Sequence, residues 1–170
     1  VVLNLYADGH TDSLIESIPM TAGERGTWDA TKTGDLHGTY YTYSVTVDGD
    51  TQEAVDLYAK SAGVNGNRGM ILDMATTNPE GFDKDVRPEF VNPTDAIIYE
   101  LHIRDLSSDP SSGITNVGKY LGLTETGTKN SDGLSTGLDH MKELGITHLH
   151  ILPMYDYATV DESKLDTPQF

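Results

Sequence analysis

The chain of 170 residues contains 27 acidic and 11 basic side chains, a formal net charge of −16, and no cysteine. This charge excludes the usual basic type of nucleic-acid-binding protein and docking on an anionic membrane surface, because both need clustered Lys and Arg. The lack of cysteine excludes disulfides and thiol nucleophiles, and no apolar run reaches the ~18 residues of a membrane span, so neither nucleic acid nor membrane is predicted as a partner.

The N-terminal part of the chain has the two-residue period of β-strands. The stretch VVLNLYADG begins at Val1 and alternates until Asp8-Gly9, and GTYYTYSVTVDGD (38–50) alternates in the same way. GTWDAT (26–31) and RGMILDM (68–74) are predicted as further strands. Short strands punctuated by Gly and Asp predict an immunoglobulin-like β-sandwich over residues 1–75, and its first strand is expected upstream of Val1.

Residues 76–94 contain three prolines and no periodicity, which predicts a linker. Beyond it, AIIYELHI (96–103) is an apolar run typical of a strand covered on both faces. LSTGLDHMKELG (134–145) predicts a helix with Ser135 or Thr136 as N-cap and Gly145 as the stop. Its apolar stripe comprises Leu134, Leu138, Met141 and Leu144.

ITHLHIL (146–152) is a second buried strand, so the order of elements is strand, helix, strand. This order implies a βαβ unit with parallel pairing. Two parallel strands and one helix leave both sheet edges unpaired and one strand face uncovered, so residues 95–170 are predicted to be the beginning of a larger α/β domain.

Several residues of this second part could carry chemistry. A stretch of about thirty residues (105–133) follows the carboxyl end of the first strand, where parallel α/β folds bind ligands, although a surface insertion explains it equally well. Glu100, His102 and Arg104 share one strand face, which allows a general acid/base set but favours a satisfied polar network. His148 and His150 form a His-x-His pair that can bind zinc, but spacing supplies no third ligand and an interior role is favoured.

In the first part, Trp28 and the tyrosines at positions 40, 41 and 43 allow stacking on sugar rings, and a core role is favoured. GVNGNRG (63–69) is glycine-rich but fits no phosphate-binding spacing, so it is predicted to be a turn.

Several stretches of the sequence resemble a known family. AIIYELHIRDLS, GKYLGLTETGT and GLDHMKELGITHLHILPMYDYATVDE are similar to the opening of the catalytic barrel of type I pullulanases, which are debranching enzymes of the α-amylase family. VDLYAKSAGVNGNRGMILDM and GTWDATKTGDLHGTYYTYSV resemble the starch-binding-type β-sandwich that precedes that barrel. The resemblance covers nearly the whole chain.

The resemblance implies that residues 95–170 begin a (β/α)8 TIM barrel, incomplete in this chain. Ala96–Ile103 would be its first strand, Ser135–Leu144 its first helix and Thr147–Leu152 its second strand. The implied reaction is retaining hydrolysis of α-1,6-glucosidic bonds in pullulan and branched starch, which requires two carboxyl groups about 5–5.5 Å apart. The resemblance puts this pair beyond Phe170, so no catalytic residue is assigned here and the chain alone is expected to be inactive.

Tyr155 and Asp156 follow the second strand at the expected ligand-facing end, so they are the candidate substrate-binding residues. The expected partners are an α-glucan and the complementary C-terminal part of the same enzyme. No cofactor is expected; calcium remains open for the whole enzyme, with no site assignable in this chain. The alternatives are a stand-alone carbohydrate-binding module, or part of an isoamylase or glucan branching enzyme. The composition indicates an extracellular or cell-surface bacterial protein, with the cytoplasm as the alternative.

Overall fold

The computed structural model describes residues 1–155 and 159–164. The chain forms two compact units. The first comprises Val1–Asp85 together with the described residues 159–164, and the second comprises residues 86–155. The boundary between positions 85 and 86 lies inside the predicted linker 76–94.

The first unit contains a five-stranded antiparallel sheet with the order β2-β1-β5-β6, in which β7 also pairs with β5. Its strands are β1 (Val2–Tyr6), β2 (Leu14–Pro19), β5 (Tyr40–Val47), β6 (Asp50–Ala54) and β7 (Gly69–Met70). A separate two-stranded sheet pairs β3 (Thr21–Ala22) with β4 (Trp28–Asp29). This unit is a mostly β-sheet domain, consistent with the predicted sandwich.

The alternation of β1 and β5 gives the main sheet one apolar and one polar face. Leu3 lies opposite Tyr43 and Leu5 opposite Tyr41, so these four side chains share a face. On the other face, the buried Asn4 donates from Nδ2 to Ser44 Oγ at 2.8 Å. The predicted period of these two strands is therefore confirmed by their register.

The remaining strand predictions for this unit need correction. Only Gly69–Met70 of RGMILDM and Trp28–Asp29 of GTWDAT pair as strands, and β2 and β6 were not predicted. The core role of Trp28 is wrong, since 44% of the residue is exposed. The reason is its place in the separate β3–β4 hairpin, whose four paired residues are all exposed.

The second unit is built from β8 (Ile98–His102), α1 (Gly137–Glu143) and β9 (His148–Leu152). β8 and β9 are parallel, as predicted, with Ile98 opposite His148 and His102 opposite Leu152. The helix is shorter than the predicted Ser135–Leu144. Gly145 follows it with a φ of 72°, a left-handed conformation that suits the residue after a helix C-terminus.

The core of this unit lies between the strands and the helix. Leu101, Ile103 and Met141 are buried and form its centre. Partly buried side chains pack against it: Tyr99, Leu106, Leu123, Ile146, Leu149 and Ile151.

One face of the two strands is uncovered, as expected for a unit with a single helix. Only the face packed on α1 is covered, and on the other face Ile98 is 66% exposed. A single helix covers only one face of the two strands. Leu134 and Leu144 of the predicted stripe are themselves exposed.

Residues 159–164 group with the first unit, through hydrogen bonds of Asp161 and Glu162 with Asn65. Short 3₁₀ turns complete the described structure: Glu24–Gly26, Val64–Gly66, Met74–Thr77, Phe82–Lys84, Pro93–Asp95, Pro110–Ser112, Tyr120–Thr124 and Glu162–Lys164. None of the helices in the described ranges has the length and apolar character to cross a membrane.

Candidate functional site

The carboxyl ends of β8 and β9 lie at the same edge of their sheet, because the two strands are parallel. In parallel α/β folds this edge is where ligands bind. The loop 103–136 leaves β8 here and the chain after Leu152 leaves β9 here, so the candidate site is built from these two segments.

The long loop after β8 has a fixed shape, held by its own polar groups. Ser107 is 1% exposed, and its hydroxyl accepts a hydrogen bond from the backbone N–H of Gly118 at 2.7 Å. The Glu125 carboxylate accepts from the backbone N–H groups of Thr115 and Asn116, and these bonds hold its pKa below the ordinary value. The loop is therefore an ordered support.

Tyr120 connects this loop to the chain that leaves β9. Its hydroxyl donates to the carbonyl oxygen of Pro153 at 2.6 Å, two residues before Tyr155. Of the large side chains in this turn, Leu123 packs against the core, whereas Tyr120 and Leu121 are 51% and 62% exposed.

Of the two predicted substrate-binding residues, Tyr155 is 84% exposed and Asp156 lies outside the described residues. The Tyr155 ring is thus accessible from solvent, next to a backbone that Tyr120 holds. An exposed aromatic ring on a fixed support is suited to stacking against the apolar face of a sugar. No sequence signal had linked Tyr120 to Pro153.

The aligned Glu100, His102 and Arg104 do not act as one set. Glu100 Oε2 lies 2.9 Å from Nδ1 of His150, the residue opposite it in the register. His102 Nδ1 accepts from the backbone N–H of Arg104 at 3.1 Å, and the Arg104 guanidinium reaches Asp105 at 3.4 Å. The geometry agrees with a polar network rather than an acid/base set.

The His-x-His pair is divided in the same way. His148 Nδ1 is 2.8 Å from the Thr147 hydroxyl, and its ring meets Phe90 edge-on at 4.8 Å between centroids, whereas His150 pairs with Glu100. Within residues 1–155 and 159–164, no three His, Asp or Glu side chains are grouped so that they could hold a metal ion.

A second candidate site is a groove of about 330 Å³ on the apolar side of the first unit. Tyr41, Tyr43 and Tyr58 provide its aromatic surface, and Lys60 provides a cationic end. The Tyr41 hydroxyl donates to Asp56 at 2.8 Å, and burial together with this bond raises the pKa of Tyr41. Two of the three tyrosines considered for stacking thus line the groove, and Trp28 does not.

Comparison with known proteins gives a consistent result. The chain is 44% identical over 158 residues to the pullulanase of Bacillus subtilis strain 168, covering 91% of this chain and 21% of that protein. The apo pullulanase of Paenibacillus barengoltzii matches it with a TM-score of 0.89 and 50% identity, covering 98% of this chain and 26% of that one. The complex of the same enzyme with maltohexaose and alpha-cyclodextrin gives a TM-score of 0.90 at 50% identity and the same coverage.

No protein-family model matches the chain. The chain is nonetheless homologous to pullulanases over most of its length, and it spans 21% of the Bacillus subtilis enzyme and 26% of the Paenibacillus barengoltzii enzyme.

Proposed function

We propose that this chain is part of a debranching glycoside hydrolase that cleaves α-1,6-glucosidic bonds in pullulan and branched α-glucans such as starch. The observation that carries this proposal is the agreement of both units, over nearly the whole chain, with the Paenibacillus barengoltzii pullulanase. In this assignment the first unit is a starch-binding-type β-sandwich and the second is the beginning of a (β/α)8 catalytic barrel.

The uncovered face of β8 and β9 supports the barrel assignment. It combines the exposed apolar Ile98 and Leu152 with the Glu100–His150 pair, and the described sheet of this unit contains only these two strands. Inward-facing side chains of a barrel pack in layers against those of other strands. A face of this composition, with further strands beside it, would become such an interior.

Three carboxylates of β8 and the loop that follows it have structural partners. Glu100 pairs with His150, Asp105 with Arg104, and Glu125 with the backbone of the loop. A retaining mechanism needs two carboxyl groups about 5–5.5 Å apart. In keeping with the resemblance to pullulanases, the catalytic pair is proposed to lie outside residues 1–170, in the complementary C-terminal part of the enzyme.

Tyr155 and Asp156 are proposed to bind substrate and not to react with it. The exposed ring of Tyr155 would stack on a glucosyl face, and the carboxylate of Asp156 would accept hydrogen bonds from sugar hydroxyls. Hydrolysis by paired carboxylates requires no cofactor, and no calcium site is assigned in this chain. A location outside the cell remains a prediction, which fractionation of the producing cells would test.

A hybrid enzyme tests the proposed function. Residues 1–170 replace the matching quarter of the Paenibacillus barengoltzii pullulanase, and release of reducing ends is measured on pullulan and on linear amylose. We expect hydrolysis of pullulan and not of amylose, since amylose lacks α-1,6 bonds. A hybrid that unfolds cooperatively on heating but leaves pullulan intact would contradict the proposal.

The groove of the first unit favours a second candidate function, that of a separate glucan-binding module. Its three tyrosines and Lys60 resemble the mixture of rings and polar groups that binds sugars. Calorimetric titration of the 170-residue chain with maltohexaose would detect such binding, and Tyr43→Ala should abolish it. Absence of binding at millimolar maltohexaose would remove this candidate.

A further inference from the structure

The glycine-rich turn 63–69 is held rigidly on the first unit. The backbone N–H of Gly63 donates to the carbonyl oxygen of Arg68 at 2.8 Å and closes the base of the turn. A Cβ atom on Gly63 would lie 2.9 Å from the Cα of Gly9 and 3.0 Å from the Tyr40 ring, so the turn is packed against the sheet too closely for any side chain there.

Arg68 fixes the turn from its other end. Its Nη1 donates to the carbonyl oxygens of Asp8 at 2.6 Å and Thr11 at 2.9 Å, and its guanidinium lies 3.6 Å from the centroid of the Tyr6 ring. The stacking and the hydrogen bonds together tie the turn to the loop that follows β1.

Asn65 lies at the tip of this turn in a left-handed conformation, with a φ of 55°. Its backbone N–H donates to Glu162 Oε2 at 2.8 Å, and its Nδ2 donates to Asp161 Oδ1 at 2.9 Å. In return, the backbone N–H of Glu162 donates to Asn65 Oδ1 at 2.7 Å. One residue thus makes three hydrogen bonds to a segment 96 and 97 residues away in sequence.

The segment that Asn65 binds is ordered by its own contacts. Asp161 Oδ1 accepts from the backbone N–H of Ser163 at 3.1 Å and from its hydroxyl at 2.6 Å. Asp161 Oδ2 lies 2.8 Å from the ammonium group of Lys164. Asparagine suits the tip because it tolerates the left-handed conformation and its amide both donates and accepts.

We propose that the turn 63–69 is an internal docking site for residues 161–164 of the first unit, and that Asn65 is the residue that holds this segment there.

Hydrogen exchange on the 170-residue chain tests the docking without any assay of activity. Asn65→Asp keeps the size of the side chain and its tolerance of positive φ but puts a carboxylate against Asp161. Asn67→Asp is the matched control, because it adds the same charge to the same turn. We expect the amides of residues 162–164 to exchange at least about tenfold faster in Asn65→Asp than in Asn67→Asp. Equal exchange in the two variants would overturn the proposal.

An exchange of partners tests the specific pair. In the double variant Asn65→Asp with Asp161→Asn, the amide donor is on residue 161 and the acceptor is on residue 65. Because Asp161→Asn also removes acceptors for Ser163 and Lys164, the double variant is compared with the two single variants. We expect its exchange to be slower than the two single effects combined would give, since the hydrogen bond is re-formed in the opposite sense. Exchange equal to the two single effects combined would refute this pairing.

Discussion

Replacing Met141 by alanine should destabilise the second unit strongly. Met141 is 3% exposed and contacts the two other buried residues of that core, Leu101 and Ile103. Truncation of a buried Met to Ala typically costs 2–5 kcal/mol. Because this core is small and its surrounding residues are partly exposed, relaxation should keep the loss near ~2–3 kcal/mol, at the lower end of that range.

Such a loss is large for this unit. A domain of about 70 residues is stable by roughly 4–10 kcal/mol, so the variant should remain folded but open more often. Hydrogen exchange of the backbone amides in β8 and β9 should accelerate by roughly 30- to 150-fold, the equivalent of 2–3 kcal/mol.

Leu144→Ala is the matched control on the same helix. Leu144 is 50% exposed and follows the last helical residue, so its truncation should cost about 1 kcal/mol or less and accelerate exchange within about fivefold. If both variants accelerate exchange equally, Leu144 contributes to the core as much as Met141 does. The packing of α1 would then be wrong, and the predicted apolar stripe that includes Leu144 would be right.

Three further changes have expected outcomes. The hydroxyls of Thr42 and Tyr6 hold the pKa of Glu53 below its ordinary 4.5; its ionised form therefore stabilises the first unit above that pH and the contribution is lost as the pH falls. Urea unfolding between pH 6 and pH 3, followed by Trp28 fluorescence, should therefore show that the unfolding free energy of Glu53→Gln falls less with decreasing pH than that of the unmodified chain. An equal fall in both would contradict this. Trp28→Ala should cost about 1–2 kcal/mol of unfolding free energy by circular dichroism, because 44% of the residue is exposed; a loss of ~3 kcal/mol or more would restore the core role. Tyr155→Ala in the hybrid enzyme should lower kcat/KM for pullulan by roughly 5- to 30-fold, the equivalent of ~1–2 kcal/mol for one lost stacking contact. Unchanged kinetics would remove Tyr155 from the substrate site.

The elements that sequence predicted well are those with a strong local signal. The alternation of apolar and polar residues in β1 and β5 indicates a half-buried sheet, and the apolar runs before and after α1 indicate a parallel βαβ unit. Gly145 could be assigned because few residues other than glycine adopt its φ of 72°.

The strands that sequence analysis missed lack an apolar period. All five residues of β6 are exposed, so its composition resembles that of a loop. One available signal was the Asp48-Gly49 pair, whose φ values of 51° and 86° form the tight turn that connects β5 to β6. Trp28 shows the opposite error, because a large aromatic residue suggests a core but its burial depends on which elements surround it.

The contacts that define the candidate site depend on distant parts of the chain. The pairing of Glu100 with His150 follows from the register of two parallel strands, which composition does not determine. The bond from Tyr120 to Pro153 and the docking of Asn65 likewise join segments that no spacing rule connects.

We propose that this chain supplies the framework of a pullulan-hydrolysing enzyme without its reacting carboxylates. The decisive experiment measures the release of reducing ends from pullulan by the purified 170-residue chain, beside the hybrid enzyme at equal molar concentration. We expect hydrolysis by the hybrid and none above the buffer blank by the chain alone. Turnover of pullulan by residues 1–170 on their own would contradict it.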